Sequence, residues 1–399
     1  MFTRFASPLP ATNYQFARAT QDVFDGLNVE GTATYTRTFA QARKEWSVLG
    51  QYALNTSTFG YDYHQYDNSP TMLEEGQATY RERSRGRTPG HEINLQTDFT
   101  QPLGEKSKLE VGLKAIFRST GSVATVDTLH TRYGPDLAAD ARRATDFSYD
   151  QHVQAAYGIY SFGVGKKLTA SLGSRLERTA LLADFRTVGT GFDRAYLSWL
   201  PNATTQYSLG EASSVRAAYS RRITRPYIDY LNPFVNTSSP GAVFFGNPYL
   251  APELTDSYEL SYNTSVKTTT LTSALSVRHT GKAIEQVRLP TADAGIIAVT
   301  YDNVAANTFY QFNLNAALKP LPAWDISVGP DVQYIVRRSP ALQTEQQGFT
   351  ASLNVNTSCK LTKSLTVQSF LNSSLPQPQI QGRGSASLYY SFGAKKTFW

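Results

Sequence analysis

At 399 residues the chain has the length of two or three ordinary domains or of one large barrel, and its single cysteine excludes an internal disulfide framework. Its net charge of +6 and pI near 9.1 do not point to nucleic acid, because Lys and Arg are spread along the chain instead of clustered. No run approaches the roughly 20 apolar residues that a spanning helix needs, which excludes a helical membrane protein.

The chain opens on a segment, residues 1–26, with no regular pattern beyond a weak partial strand over 10–22 around Tyr14, Phe16 and Ala19. Residues 1–21 lack a charged stretch followed by an apolar one, so no secretory signal is visible. From residue 27 to 399 the pattern is that of one β-domain. Fifteen strands are expected over 27–39, 46–59, 91–101, 108–119, 149–162, 168–180, 195–208, 214–223, 254–265, 270–288, 303–318, 324–337, 348–359, 364–375 and 384–398. In the fourth, Leu109, Val111, Leu113, Ala115 and Phe117 share one face, while Glu110, Gly112, Lys114 and Arg118 share the other. A period of two sustained over so many residues means extended strands with one apolar and one polar face.

The connections alternate. Short ones, 41–45, 102–107, 163–167, 210–213, 266–269, 319–323 and 360–363, are rich in Gly, Pro, Asn and Lys, as turn chemistry requires. Long ones, 60–90, 121–148, 181–194, 224–253, 289–302, 338–347 and 376–383, carry much of the charge and most of the proline. Phe39, Trp46, Phe162, Tyr207 and Trp324 flank the short turns, where a membrane interface holds amphipathic rings. The polar faces carry charge, as in Thr169, Ser171, Gly173, Arg175 and Glu177, or in Asp325, Asp331, Gln333 and Arg337. A charge facing lipid at mid-depth costs about 2–4 kcal/mol, so these faces belong to a wet lumen.

The expected fold is therefore all-β: an antiparallel transmembrane β-barrel with short periplasmic turns and long extracellular loops. The competing reading is a soluble extracellular β-rich binding protein, against which stand strands of ten or more residues and the strict turn asymmetry. Single-chain barrels usually have even strand numbers, so fifteen strands imply at least one more, with about 15–16 present. The missing signal and the odd count together read as a fragment.

The stretch from residue 218 to 262 carries a resemblance. Tyr219-Ser-Arg-Arg-Ile-Thr-Arg-Pro226 leads through Tyr230-Leu-Asn-Pro-Phe234 to Phe245-Gly-Asn-Pro-Tyr-Leu-Ala-Pro-Glu253 and Ser257-Tyr-Glu-Leu-Ser-Tyr262. This order and spacing resemble the barrel of TonB-dependent outer-membrane receptors, in particular the Bacteroidetes-type outer membrane protein β-barrel family, with Ala251 where the family usually has Lys. Weaker echoes are Lys282-Ala-Ile-Glu-Gln286, Tyr301-Asp-Asn-Val304 and Gly393-Ala-Lys-Lys-Thr-Phe398. The resemblance implies a 22-stranded barrel of which this chain is part. It also implies uptake of a substrate across the outer membrane, powered by the TonB energy-transducing complex through a plug domain absent from this chain. A passive porin-like or adhesive outer-membrane barrel is the alternative.

The motif residues Arg221, Arg222, Pro226, Asn232, Pro233, Gly246, Asn247, Pro248, Leu250, Pro252 and Glu253 are expected to be architectural, shaping the loop and starting the next strand. Arg221, Arg222 and Arg225 are expected to pair with lumen carboxylates such as Glu253 or Glu259, the alternative being contact with an anionic ligand. The substrate is not named by any motif, and the predicted partners are that substrate, outer-membrane lipid and TonB, with no nucleic acid. Five histidines stand singly, without the spacing of a metal site. Asp62, His64 and Asp67 lie close in sequence in a Tyr-rich stretch, which reads either as a surface loop or as a grip for a cation or sugar. No catalytic elbow, phosphate loop or dinucleotide fingerprint is present, so neither an enzyme nor a cofactor is expected.

Overall fold

Residues of alternating polarity with few interior breakers form ladders because each backbone N–H and C=O then finds a neighbour strand. A computed structural model describes residues 16–67, 78–130, 138–140, 144–187, 189–233, 235–236, 239, 241–292 and 295–398. It contains fifteen long strands. The first eight are β1 (Phe16–Thr38), β2 (Glu45–Asp67), β3 (Tyr80–Pro102), β4 (Ser107–His130), β5 (Thr145–Val164), β6 (Leu168–Phe185), β7 (Thr190–Ser208) and β8 (Ser213–Thr224). Then follow β9 (Glu253–Val266), β10 (Thr269–Pro290), β11 (Ile297–Leu321), β12 (Trp324–Ser339), β13 (Thr344–Lys360), β14 (Leu365–Ser374) and β15 (Ser387–Lys396). Each pairs antiparallel with the next, from β1 through β15. With the short strands Ala138–Ala139 and Ala242–Phe244 they make one 17-stranded sheet.

The strands expected from the sequence are all present, and several are longer. β1 begins at Phe16, so residues 16–26 are not a separate segment but continue the ladder, Phe16 opposite Asp67 and Gly26 opposite Ser57. The expected loop 60–90 is shortened from both sides, since β2 runs to Asp67 and β3 starts at Tyr80. The same holds for 121–148, 181–194, 289–302 and 338–347. The physical reason is that these extensions stand beyond any apolar band. Tyr80-Arg-Glu-Arg-Ser-Arg-Gly-Arg87 has polar residues on both faces, and its strand form comes from backbone pairing with β2 and β4 and from side-chain bonds, Tyr61 and Tyr63 of β2 donating to the buried Glu82.

The two faces of the sheet differ as alternation demands. On one, Tyr52, Leu95, Leu113, Leu176, Leu197, Tyr258 and Leu275 are exposed large hydrophobics, an arrangement that water does not tolerate over such an area but lipid does. Across β8 to β13 this face carries a row of cross-strand partners, Tyr219, Tyr258, Val277, Tyr310, Tyr334 and Phe349. Ring centroids in the row are 5.0 Å apart for Tyr219–Tyr258 and 4.8 Å for Tyr334–Phe349. One pair further toward the long loops the row turns polar at every position but Val336: Arg221, Asp256, His279, Thr308, Val336 and Gln347. At the short-turn end, Trp324 donates to Thr357 Oγ1 at 2.7 Å and Trp46 to Thr97 Oγ1 at 2.9 Å. Trp324 and Tyr334 lie ten residues apart on β12. Ten residues rise about 34 Å, and a tilt of about 40° projects that onto about 26 Å, the height of an outer-membrane apolar band. Cys359 pairs with Trp324 on this apolar face and is a free thiol.

The other face is polar and concave. Phe24 and Asn28 of β1 line the same cavity, of about 830 Å³, as Ile223 and Arg225 at the end of β8, although six strands lie between. Only a sheet curled toward that face brings them together. Among the described residues no ladder joins β15 to β1.

Candidate functional site

The segment from Arg225 to Pro252, between β8 and β9, stays a long connection, and it folds inward. Arg225 directly follows β8 and turns to the inner face of β6, where its guanidinium pairs with Glu177 and donates to Thr179 Oγ1 at 2.8 Å. Pro226 lacks the N–H that would extend the ladder, and a single helical turn, α1 (Ile228–Leu231), follows. Leu231 and Leu250 are 3% and 4% exposed, packed on Phe147 and Tyr149 of β5 and Leu181, Ala183 and Phe185 of β6. Phe192 and Tyr196 of β7 and Ile284 and Tyr301 border the same cluster. Burying a leucine side chain contributes about 1.5–3 kcal/mol, so two of them suffice to hold a connection of this length against the wall.

Polar bonds fix the geometry. Gly246 N donates to Asn232 O at 2.7 Å and Asn247 N to Tyr230 O at 2.6 Å. A Cβ at Gly246 would stand 2.5 Å from Asn232 O and 2.6 Å from Tyr230 O, so only glycine fits this approach of backbones. The Asn247 side chain accepts from Tyr249 N at 2.9 Å and donates to Tyr301 O at 3.1 Å, while Tyr230 stacks on Tyr301 with centroids 3.9 Å apart. Pro248 occupies the turn that Asn247 thus closes, and Pro233 follows Asn232 just past α1. Asn303 accepts from Ala251 N at 2.7 Å and donates to Ala251 O at 3.0 Å and to Lys282 O at 2.8 Å. Lys282 has a positive φ of 51° beside the register shift between Thr280 and Ala283, which turns its carbonyl toward Asn303. Pro252 leads into β9, whose first residue Glu253 accepts from Ile284 N. Burial raises the Glu253 carboxyl above its ordinary range, and the bond from Ile284 N only partly opposes this.

The motif residues therefore do not all meet. Asn232, Gly246, Asn247, Leu250 and Glu253 converge with Tyr301 and Asn303 on one clamp, which unites the long motif with two of its weaker echoes. Arg221 lies on the apolar face, bound to both oxygens of Asp256 at 2.8 and 2.9 Å, not to Glu253 or Glu259. Alternation explains the correction: Arg221 and Arg222 are neighbours on a strand and must point to opposite faces. Arg222 is exposed on the inner face and makes no ion pair among the described residues. The Asp62, His64 and Asp67 grouping also comes apart. Asp62 meets His64 at 3.2 Å and Arg83 at 2.8 Å, whereas Asp67 is on the opposite face and accepts from Gln65 at 2.8 Å. Among the described residues no three His, Cys, Asp or Glu are placed to hold a metal ion.

Below the clamp the inner wall holds a cavity of about 1030 Å³, bordered by β4 to β10. Its charges are mainly cationic: Lys114, Arg175, Arg216, Arg222, Arg225 and Arg278, against the carboxylates Glu177 and Glu259. Sequence reasoning named Arg175 and Glu177 on a polar face. It missed the cluster, because the face of each strand is legible but the neighbours gathered by curvature are not.

The comparisons agree with this architecture. A family model described as outer membrane protein beta-barrel family matches residues 37–399. No curated protein matches the sequence. Among solved structures, the copper transporter OprC aligns with a TM-score of 0.58 at 10% identity, covering 96% of this chain and 66% of that one. The ferric citrate transporter FecA aligns with 0.56 at 13% identity, over 89% of this chain and 54% of that one. The ferric yersiniabactin uptake receptor FyuA from Yersinia pestis gives 0.54 at 14% identity, over 88% and 53%. The chain thus spans about half the length of FecA and FyuA, and at these identities the likeness is one of fold.

Proposed function

Because the chain belongs to the outer membrane protein β-barrel family, we propose that it forms the barrel of an outer-membrane receptor that binds a substrate at its long extracellular loops and passes it inward through the lumen. In this reading outer-membrane lipid solvates the apolar face, and the TonB energy-transducing complex drives transport through a plug domain. The observation that supports it is the inward-folded connection from Arg225 to Pro252, which covers the upper inner wall through Leu231 and Leu250 and is clamped by Asn247 and Asn303. A passive pore needs no such cover, whereas a receptor that must close around cargo does.

The test is accumulation of a panel of scarce solutes in cells carrying or lacking the intact gene, with and without an uncoupler of the inner membrane. The reading expects at least one solute whose gene-dependent uptake the uncoupler abolishes. Gene-dependent permeation that survives the uncoupler would instead make the chain a passive porin. Loss of surface attachment with no change in uptake would make it an adhesive barrel.

A further inference from the structure

We infer that the inner-wall cavity bordered by β4 to β10 is a binding site for an oligo-anionic solute, one bearing two or more carboxylate or phosphate groups. Six cations face the cavity, Lys114, Arg175, Arg216, Arg222, Arg225 and Arg278, and only two carboxylates oppose them. Both carboxylates are already engaged: Glu177 is held between Arg175, at 2.8 Å, and Arg225, and Glu259 meets Arg216 at 3.3 Å. Lys114, Arg222 and Arg278 therefore have no carboxylate partner among the described residues.

Like charges gathered on one concave wall repel, and the low-dielectric surroundings of a barrel strengthen that repulsion over its value in open water. An anion of matching charge relieves it. A second observation points the same way. Arg278 Nε is buried and has no hydrogen-bond partner among the described residues, and neither has Arg225 Nε. Arg278 is nevertheless held in place, its guanidinium 5.1 Å from the Phe309 ring centroid, while Arg337 lies 5.5 Å from the same ring and pairs with Glu285 at 2.5 Å. A guanidinium fixed against a ring has lost its rotamer freedom before any ligand arrives, and its planar fork matches the two oxygens of a carboxylate or phosphate. Unpaired cations at Lys114 on β4, Arg222 on β8 and Arg278 on β10 span several strands, so a solute with more than one anionic group engages them together.

That this anion is the transported cargo rests on the uptake reading, but the site does not. The experiment uses the receptor purified whole from outer membranes in detergent, and calorimetric titration with pyrophosphate, citrate and the uncharged trisaccharide maltotriose. Saturable binding of at least one anion is expected, weakening as salt rises, with no heat from maltotriose. Replacing both Arg222→Gln and Arg278→Gln is expected to weaken it about tenfold or more, consistent with loss of charge-assisted bonds. Arg222→Lys with Arg278→Lys retains the charge and is expected to recover part of the affinity. Arg85→Gln with Arg87→Gln, exposed on the opposite face of the sheet, is the control and is expected to leave binding unchanged. Heat-modifiable migration on a gel shows that each variant is folded. The inference is overturned if neither anion binds, if the Gln pair binds as tightly as the parent, or if maltotriose binds equally well. Anion binding without energised uptake would sink the transport reading and leave the site standing; energised uptake of a neutral solute without anion binding would do the reverse.

Discussion

Asn303→Ala tests the clamp. The substitution removes three hydrogen bonds, to Ala251 N at 2.7 Å, Ala251 O at 3.0 Å and Lys282 O at 2.8 Å. Each such bond contributes a net of about 0.5–1.5 kcal/mol, so the two to Ala251 that hold the connection contribute about 2 kcal/mol together, while the third ties β11 to Lys282 of β10. The ladders stand without it, because β9 and β11 remain paired to their neighbours on both sides. At about 1.4 kcal/mol per factor of ten, the open form of the connection becomes about 30-fold more populated. Hydrogen exchange reads this directly: the Ala251 amide is expected to exchange about 30-fold faster, while Tyr258 in the middle of the β9 ladder keeps its rate. An unchanged Ala251 rate, or an acceleration shared by Tyr258, would refute the claim that Asn303 holds the connection without supporting the β9 ladder.

Further predictions follow from the same geometry. Gly246→Ala forces its Cβ against the carbonyls of Asn232 and Tyr230, so the connection is expected to become sensitive to protease on intact cells while the barrel keeps its heat-modifiable migration; a resistant connection would contradict this. On β4, Leu113→Lys places a charge on the apolar face and is expected to lower folding yield into liposomes by about 2–4 kcal/mol in equilibrium terms, whereas Lys114→Leu on the inner face is tolerated; equal effects would reverse the facing. Glu253 has its folded pKa above its unfolded value, so its contribution is full below the unfolded pKa and fades as pH rises through the folded one. After correction for intrinsic rates, Ala251 protection is therefore expected to fall with rising pH in the parent and to stay flat in Glu253→Gln. A rise with pH in the parent would contradict the sign.

The sequence carried the strand pattern where a membrane imposes it. In β12, the even positions Trp324, Ile326, Val328, Val332 and Tyr334 oppose Asp325, Ser327, Asp331 and Gln333, and the ladder keeps that division. Beyond the apolar band the pattern faded: 20–26 is exposed on both faces, and in 60–67 the buried face is lined by Tyr61 and Tyr63 bonded to Glu82 instead of by aliphatic residues. The motif was legible by its order and spacing, yet Asn303, which bonds Ala251 within it, sits 50 residues beyond Glu253, brought near only by the pairing of β9, β10 and β11. Ion pairs were legible in kind but not in partner: Arg225 reaches Glu177 across the one intervening strand, β7, a proximity set by curvature.

Cysteine labelling on intact cells tests the central claim, that the connection after β8 lies at the cell surface and is folded onto the inner wall. In a Cys359→Ala background, Tyr249→Cys and Leu250→Cys are treated with a membrane-impermeant maleimide. Tyr249 is 61% exposed and Leu250 4% exposed, so the first is expected to label rapidly and the second to stay protected until the protein is denatured. Equal labelling of both positions would contradict the inward fold, and a Tyr249→Cys thiol that reacts only after lysis would contradict the assignment of the long loops to the outside.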